Sequence, residues 1–340
     1  MDFKPDFLIE GRRVGKGAPV FIIAEAGVAH FGSFRKALRL VDLAVEAGAD
    51  AVKFQVFRTD ELLCAEAGDW KDRYREKEMD IEAFRKIKAH CDASGILFLA
   101  TAHDDAGLLE VEALDVPAYK IGSGECQNWT FVRKVAEKGK PIILSTGMYT
   151  MEDIGDALEE IARAGNREVA ILHCTTAYPT PPEQVNLKAM ETIQKEFGCV
   201  CGYSDHTEGL HFVLAAVALG AKVIEKHISL DFNVPNAQDW KVSCGPENFP
   251  SLVGQIRQIE AGLGSGEKIP GELELQSMAW ARKSLVAARM IRAQEAITRD
   301  MIRFKRPGTG ISPRDVGKVV GRRAARMIAE DAVIRWEDIE

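Results

Sequence analysis

His206 and His227 are the residues whose types and spacing most suggest chemistry. The first closes Tyr203-Ser204-Asp205-His206, and the second closes Glu225-Lys226-His227, twenty-one residues on. Each follows a short apolar run that reads as a strand, Cys199–Tyr203 and Ala221–Ile224. Between them Glu208–Gly220 has helical spacing and a closing glycine. The unit is strand, helix, strand, with an imidazole at the carboxyl end of each strand. In a parallel β/α sheet or barrel such ends lie side by side. Two neutral imidazoles there can share a divalent metal and leave positions open for water and substrate. The plainer reading is that each histidine caps its strand with a hydrogen bond.

Other strand ends would deliver Glu25, Lys53, Gln55, Thr101, Lys120, Ser123, Glu125, Ser145, Thr176, Tyr178 and Ser204 to the same face. Two lysines among hydroxyls suit a phosphate or carboxylate. Alternatively, each lysine pairs with an acid, as Lys53 would with Glu25. A desolvated Lys53, Lys120 or Lys226 could instead form a Schiff base, which is aldolase chemistry without a metal. Glu25 and Glu125 could move protons if burial raised their pKa values, or could serve as ion-pair partners. Asp231, Asp239 and Lys241 lie in a long loop after the second histidine strand, whose Asn, Gln and Asp side chains fit a polyol.

The elements that must position these groups alternate regularly. Residues 7–20 read as a small hairpin with turns at Gly11, Gly15 and Gly17. Strands are predicted at Phe21–Ala26, Ala51–Val56, Ile96–Ala100, Ala118–Ile121, Pro141–Leu144 and Val169–Leu172, followed by the two histidine strands. Helices fall between them, one beginning near Asn186, and the last covers about 247–262. Residues 57–79 form a charged excursion too long for a simple βα loop, which suggests a lid or substrate wall. Eight strands and eight helices over roughly 250 residues have the size and order of a (β/α)8 TIM barrel. Continuous apolar strands suit a parallel sheet buried on both faces. A doubly wound sheet would carry a G-x-G-x-x-G turn after strand one, where this chain has Glu25-Ala26-Gly27-Val28-Ala29-His30. The predicted organisation is therefore a catalytic barrel over 1–265, a Gly-rich linker over 266–282 with a short helix at Gln276–Lys283, and a small, mostly β domain over 283–340. Apolar runs at Ser284–Ala288, Val316–Val320 and Ala332–Trp336 mark that last domain.

Composition narrows the function classes. The chain has 340 residues, 46% of them hydrophobic, and a net charge of −7, so neither nucleic acid nor a membrane is an expected partner. The amino terminus lacks a signal-peptide pattern, and no apolar run approaches the ~20 residues of a membrane span. Seven cysteines in irregular spacing fit reduced thiols in a cytoplasmic protein. Cys199-x-Cys201 reads as packing.

Ordered motifs then point to one family. The chain resembles the sialic acid (N-acetylneuraminate, nonulosonate) synthases. It carries IAEAG (Ile23–Gly27), VKFQ (Val52–Gln55), YKIGSGE (Tyr119–Glu125), LSTGM (Leu144–Met148), LHCTTAYPTP (Leu172–Pro181), YSDHT (Tyr203–Thr207), EKH (Glu225–His227) and KRPGTGISP (Lys305–Pro313) in the family order. The resemblance covers nearly the whole chain. It implies the barrel followed by a C-terminal antifreeze-like (SAF) domain. It also implies metal-dependent condensation of phosphoenolpyruvate with an N-acylated amino sugar, giving a nonulosonic acid and phosphate. His206 and His227 match the ligands of Mn2+ or Mg2+. Lys53, Thr101, Lys120, Ser123, Ser145, Thr176 and Ser204 match the phosphoenolpyruvate side, and Glu25, Gln55, Tyr178 and Asp239 the sugar side. Glu25, Glu125, Lys53 and Lys120 are the implied catalytic groups. Arg306 also belongs to the sugar side, since it matches an arginine that reaches into the partner's barrel and contacts the N-acyl group, which implies a domain-swapped homodimer.

The departures lie at Thr176, at Ala102-His103 in place of a proline and an aromatic, and in the loop NAQDWK (236–241). N-acetylmannosamine is the first-choice sugar, and a 2,4-diacetamido-2,4,6-trideoxyhexose, leading to legionaminic or pseudaminic acid, is the alternative. A reading of another class is a carbohydrate-binding protein without turnover.

Overall fold

The computed structural model describes residues 2–235, 237 and 239–340. The chain divides into two compact units, one ending at Gly264 and one spanning Ser265–Glu340. The first unit opens with a hairpin, β1 (Asp6–Ile9) and β2 (Arg12–Gly15). Eight parallel strands follow and close on themselves: β3 (Phe21–Gly27), β4 (Ala51–Val56), β5 (Leu97–Ala102), β6 (Tyr119–Ile121), β7 (Ile142–Ser145), β8 (Val169–Cys174), β9 (Val200–Asp205) and β10 (Val223–His227). Closure comes from pairing of β10 with β3, with His227 opposite Glu25.

Each barrel strand is followed by a helix on the outside: α1 (Phe34–Ala47), α4 (Ile81–Ser94), α5 (Asp105–Ala113), α6 (Trp129–Ala136), α7 (Met151–Arg163), α8 (Ala189–Phe197), α9 (His211–Ala218) and α10 (Phe249–Leu263). Two short helices, α2 (Thr59–Leu62) and α3 (Asp69–Arg75), occupy the excursion between β4 and α4. Local chemistry sets the helix ends. Ser33, Asp80 and Asp104 cap α1, α4 and α5 through side-chain oxygens, and Gly48 and Gly95 end α1 and α4 in the left-handed conformation.

Alternation along the strands sorts the core into two layers. Outward residues such as Phe54, Phe98 and Ile224 pack under the helices. Inward residues toward the amino ends, including Ile23, Leu99, Leu172 and Val223, fill the barrel. Phe7, Ile9 and Val14 of the hairpin belong to that inner cluster, so β1 and β2 plug the amino end of the barrel. The carboxyl end is left open.

The second unit contains α11 (Glu272–Ala281), β11 (Ser284–Ala287), β12 (Ile302–Lys305) and the helical turn α12 (Val316–Val319). Its core is built around Leu285, Ile291, Ile297, Ile311 and Ile334. Several sequence expectations shift here. The α11 helix starts four residues before Gln276 and lies inside the stretch read as linker. Within the domain read as mostly β, the first four residues of the Val316–Val320 run form the helical turn α12 and Val320 is extended. In the barrel, α8 begins at Ala189, after a 3-10 turn at Pro182–Gln184, rather than near Asn186.

Candidate active site

A cavity of about 470 Å³ sits at the open end of the barrel. Lys53 and Gln55 (β4), Thr101 (β5), Lys120 (β6), Ser145 (β7), Ser204 (β9) and Glu225 and His227 (β10) reach it because each occupies an inward register position. Glu25 on β3 joins them, as do Ser123, Thr176, Tyr178, His206 and Asp239 from the segments after the strands. The cavity therefore gathers the sequence-expected site residues except Glu125, Arg306, Lys226, Asp231 and Lys241, and Asp231 instead pairs with Lys36 at 2.7 Å. Glu125 is buried in the turn after β6, where its carboxylate accepts from Asn128 Nδ2 at 2.7 Å, and it does not line the cavity. Arg306 belongs to the second unit, where its guanidinium lies 5.9 Å from the Trp280 ring. Asn236 and Gln238 of the loop after β10 lie outside the described residues.

One side of the cavity is a charge cluster. Lys53 is in ionic contact with Glu25, as the plain reading of that pair expects, and donates to Thr101 Oγ1 at 3.0 Å. Glu225, which sequence reasoning did not place in the site, lies 3.4 Å from Lys120 and 3.8 Å from Lys53. Ser204 donates to it at 3.1 Å. Its signal was available, since a residue two before His227 on a strand shares its face. Burial works to raise the Glu225 pKa, but the two ammonium groups overcome it and hold Glu225 at about 2. Burial raises Glu25 to about 7 against the pull of Lys53. Glu25 is thus the carboxyl able to exchange a proton near neutral pH. Burial, with the charge of Lys53 adding to it, lowers Lys120, while the neighbouring glutamates keep Lys53 raised.

Ser145 Oγ and His103 Nε2 are buried with no hydrogen-bond partner among the described residues. Buried polar atoms without partners are costly unless a ligand satisfies them. Beside them, Gly147 N–H donates to Ser123 Oγ at 3.0 Å. A methyl group at Gly147 would overlap Thr176 Oγ1 and come within 2.9 Å of Ser123 Oγ, so this close approach requires glycine.

The other side holds the histidines, with ring centroids 5.3 Å apart. Burial keeps both neutral, lowering His206 to about 4 and His227 to about 3. His206 Nδ1–H donates to the Thr175 carbonyl at 2.8 Å, which leaves Nε2 as an acceptor, and Tyr178 OH donates to it at 3.1 Å. A carbonyl holding one ring nitrogen so that the other presents its lone pair is the usual second-shell support of a metal-binding histidine. Two neutral imidazoles facing a polar cavity fit a divalent cation whose remaining ligands come from water and substrate. Among the described residues, no group of three or more His, Cys, Asp or Glu side chains is placed to hold a metal without such help.

Lys226, a Schiff-base candidate from the sequence, points the other way. It is buried outside the barrel wall against Asp205 and the Thr207 carbonyl, the latter at 2.8 Å. The excursion after β4 contributes Trp70, Tyr74 and Lys77 to the cavity, in keeping with a substrate wall. Cys174 and His103 also line it. Both carry an inward register signal that the sequence analysis did not use.

Fold and site together define an enzyme of the β/α-barrel class with its working cavity at the carboxyl ends of the strands. The chain belongs to the NeuB family, whose pattern matches residues 40–268, and the SAF domain pattern matches residues 282–340. It is 40% identical to an uncharacterized protein of Methanocaldococcus jannaschii over 97% of this chain and 98% of that one. It is 38% identical to the N,N'-diacetyllegionaminic acid synthase of Campylobacter jejuni, over 92% of this chain and 98% of the synthase. The crystal structure of an N-acetylneuraminic acid (sialic acid) synthetase from Leptospira borgpetersenii superimposes with a TM-score of 0.76 at 32% identity, covering 81% of this chain and 96% of that one.

Proposed function

We propose that this enzyme condenses phosphoenolpyruvate with the open-chain aldehyde of an N-acylated amino sugar, releasing phosphate and a nonulosonic acid. The observation that carries the proposal is one cavity with two differently built sides. Two buried lysines sit among hydroxyls and unpartnered polar atoms, and two neutral histidines face them.

Lys53 and Lys120, with Thr101, Ser123, Ser145, Thr176 and Ser204, would bind the phosphate and carboxylate oxygens and fix the enol face. His206 and His227 would hold Mn2+ or Mg2+, which when bound supplies Lewis acidity to a carbonyl oxygen. Gln55, Tyr178, Asp239 and Glu25 would position the sugar. The bond that forms joins C3 of phosphoenolpyruvate to the aldehyde carbon. Water adds to C2, and the C2–O bond to phosphate breaks. The chain must hold the phosphoryl oxygens as charge builds on them. It must also move one proton from water and deliver one to the new alkoxide. Glu25, poised near neutral pH beside Lys53, suits that exchange. Glu125 would act only by stabilising the turn that carries Ser123.

N-acetylmannosamine and 2,4-diacetamido-2,4,6-trideoxymannose are the two sugars to compare. The similarity to a diacetyllegionaminic acid synthase favours the second. The test is phosphate release from phosphoenolpyruvate after chelation and manganese re-addition, with each sugar in turn. Release should require metal and sugar together. Borohydride trapping of pyruvate on a lysine would favour the Schiff-base aldolase instead. Sugar binding without any release would favour a carbohydrate-binding protein.

A further inference from the structure

Asp205 and Lys226 do not line the cavity, yet each stands directly before a histidine that does. Both are buried on the outer face of the barrel wall, at 0% and 1% exposure. They are the last registered partners of β9 and β10, after Ile224 opposite Tyr203 and Glu225 opposite Ser204. Beyond that point the two histidines are held differently. His227 is the final residue of β10 and is still paired with Glu25 of β3. His206 lies one residue past the end of β9, outside the ladders with β8 and β10. Its ring donates to the Thr175 carbonyl, and its own carbonyl accepts from Thr180 N–H at 2.7 Å. Both ties lead back to the segment after β8, and neither reaches β10. Lys226 supplies that connection. Its ammonium donates to Asp205 Oδ2 and, at 2.8 Å, to the Thr207 carbonyl, so it grips the residue on each side of His206. Asp205 also accepts from Thr207 N–H at 3.2 Å and from Thr207 Oγ1 at 2.9 Å, which closes the turn around the histidine.

We propose that Lys226 is a positioning residue: its ionic bracket around His206 sets the spacing of the two cavity imidazoles and so tunes cation affinity without touching the cation. The inference rests on the two-histidine reading of the cation site. Two ring nitrogens on different strands bind one cation well only if their separation is fixed, and outer contacts usually fix it. On the cavity face Ser204 donates to Glu225, but that bond joins the strands before the turn and does not reach past Asp205. An apolar pair of similar volume would fill the outer wall about as well, because burying two charges costs desolvation. It would not hold the Thr207 carbonyl. A directional, charge-assisted grip on both flanks of His206 is what the ion pair adds.

The test uses the full, metal-free chain and two titrations: Mn2+ followed by electron paramagnetic resonance, and phosphoenolpyruvate followed by calorimetry without metal. Lys226→Met alone leaves Asp205 charged and buried, so the deciding variant is Asp205→Asn with Lys226→Met. It removes both charges and keeps an acceptor for Tyr203 and Thr207. Circular dichroism checks that it is folded at the titration temperature. It should bind Mn2+ about 10- to 100-fold more weakly. Its Kd for phosphoenolpyruvate should stay within about twofold. Lys226→Arg, which keeps the charge and the donors, should recover part of the Mn2+ affinity. Thr207→Val is a milder variant that loses only the hydroxyl contacts to Asp205, and it should weaken Mn2+ binding in the same direction by less. Unchanged Mn2+ affinity in these variants, or equal weakening of both ligands, would overturn the inference and leave the pair as a wall stabiliser. His206→Ala separates the two readings. Wild-type Mn2+ binding that His206→Ala does not diminish would sink the two-histidine site, and this inference with it.

Discussion

Three lysines in the barrel strands show how strongly one residue's direction decides its role. Lys53 and Lys120 face the cavity, and Lys226, one residue from two cavity-lining neighbours, faces outward into a buried pair with Asp205. Asp205 also accepts from Tyr203 OH at 2.8 Å and from Thr207 Oγ1 at 2.9 Å, so the pair is the centre of a satisfied network. Removing one partner of such a pair leaves an uncompensated buried charge. Lys226→Met should therefore cost about 3–5 kcal/mol of stability, read by denaturant unfolding. Its folded fraction should keep a normal KM for phosphoenolpyruvate. Lys120→Met should do the reverse. Glu225 retains Lys53 and Ser204, so stability should change little. The loss of a charged donor to the anion should raise KM for phosphoenolpyruvate by roughly 10- to 150-fold. Equal loss of stability in both variants would show that Lys120 is structural.

At the scale of elements, the hairpin and β9 set how well the cavity floor is built. Ile9 is fully buried in the inner cluster that closes the amino end of the barrel. Ile9→Ala should cost about 2–5 kcal/mol through lost burial and an unfilled cavity. The site lies at the opposite end, so kcat per folded molecule should hold, as activity and thermal melting of one sample would show. Gly202 occupies the inward position of β9 just below Ser204. A methyl group there would overlap the Val223 carbonyl oxygen and lie 2.7 Å from Leu172 Cδ2. Gly202→Ala must push β9 from β10 and so move Ser204 and His206 together. It should lower both stability, by about 1–3 kcal/mol, and metal affinity. The excursion between β4 and α4 was recognisable as a wall by its length alone. Its helices, and the turn that points Lys77 inward, were not, because short charged segments take their shape from what they pack against.

Across the whole molecule, histidines are confined to the barrel. Seven occur in the chain, none after His227. Burial lowers five of them: His30, His103 and His206 to about 4, His227 to about 3, and His173 by a smaller amount. Below about pH 6.5 the unfolded chain takes up protons that the folded barrel refuses. The stability these histidines contribute is present above pH 6.5 and lost as the pH falls toward 4 and 3. Each contributes a slope of up to about 1.4 kcal/mol per pH unit. Glu25 and Glu125 work oppositely, since burial raises their pKa values and adds stability at low pH that is lost as the pH rises, for Glu25 through about 7, but they are two groups against five. Calorimetry of metal-free protein from pH 7 to 4.5 should show the barrel transition falling steeply. The transition of the second unit, which has no histidine, should move little. That unit has its own charge character, since residues 282–340 carry 14 Lys and Arg against 8 Asp and Glu within a chain of net charge −7. The domain-swapped homodimer that the resemblance implies can be tested through this domain. If Arg306 serves the partner's cavity, mixing Arg306→Ala with His206→Ala should restore some activity through hybrid dimers. Activity no better than the separate variants would count against the swap.

The sequence by itself determined the barrel, because continuous apolar strands alternating with capped helices leave few other ways to bury both faces. It also determined the inward set at the carboxyl ends, since a two-residue period carries Lys53, Gln55, Ser204 and His206 to one side once the strands are located. Tertiary structure alone decided three things. It brought Glu225 between Lys53 and Lys120 across neighbouring strands, turned Glu125 away toward Asn128, and brought Lys77 of the excursion into the cavity wall. Each depends on which distant strand or loop becomes a neighbour when the barrel closes. Local spacing carries no information about the electrostatic company a buried charge will keep.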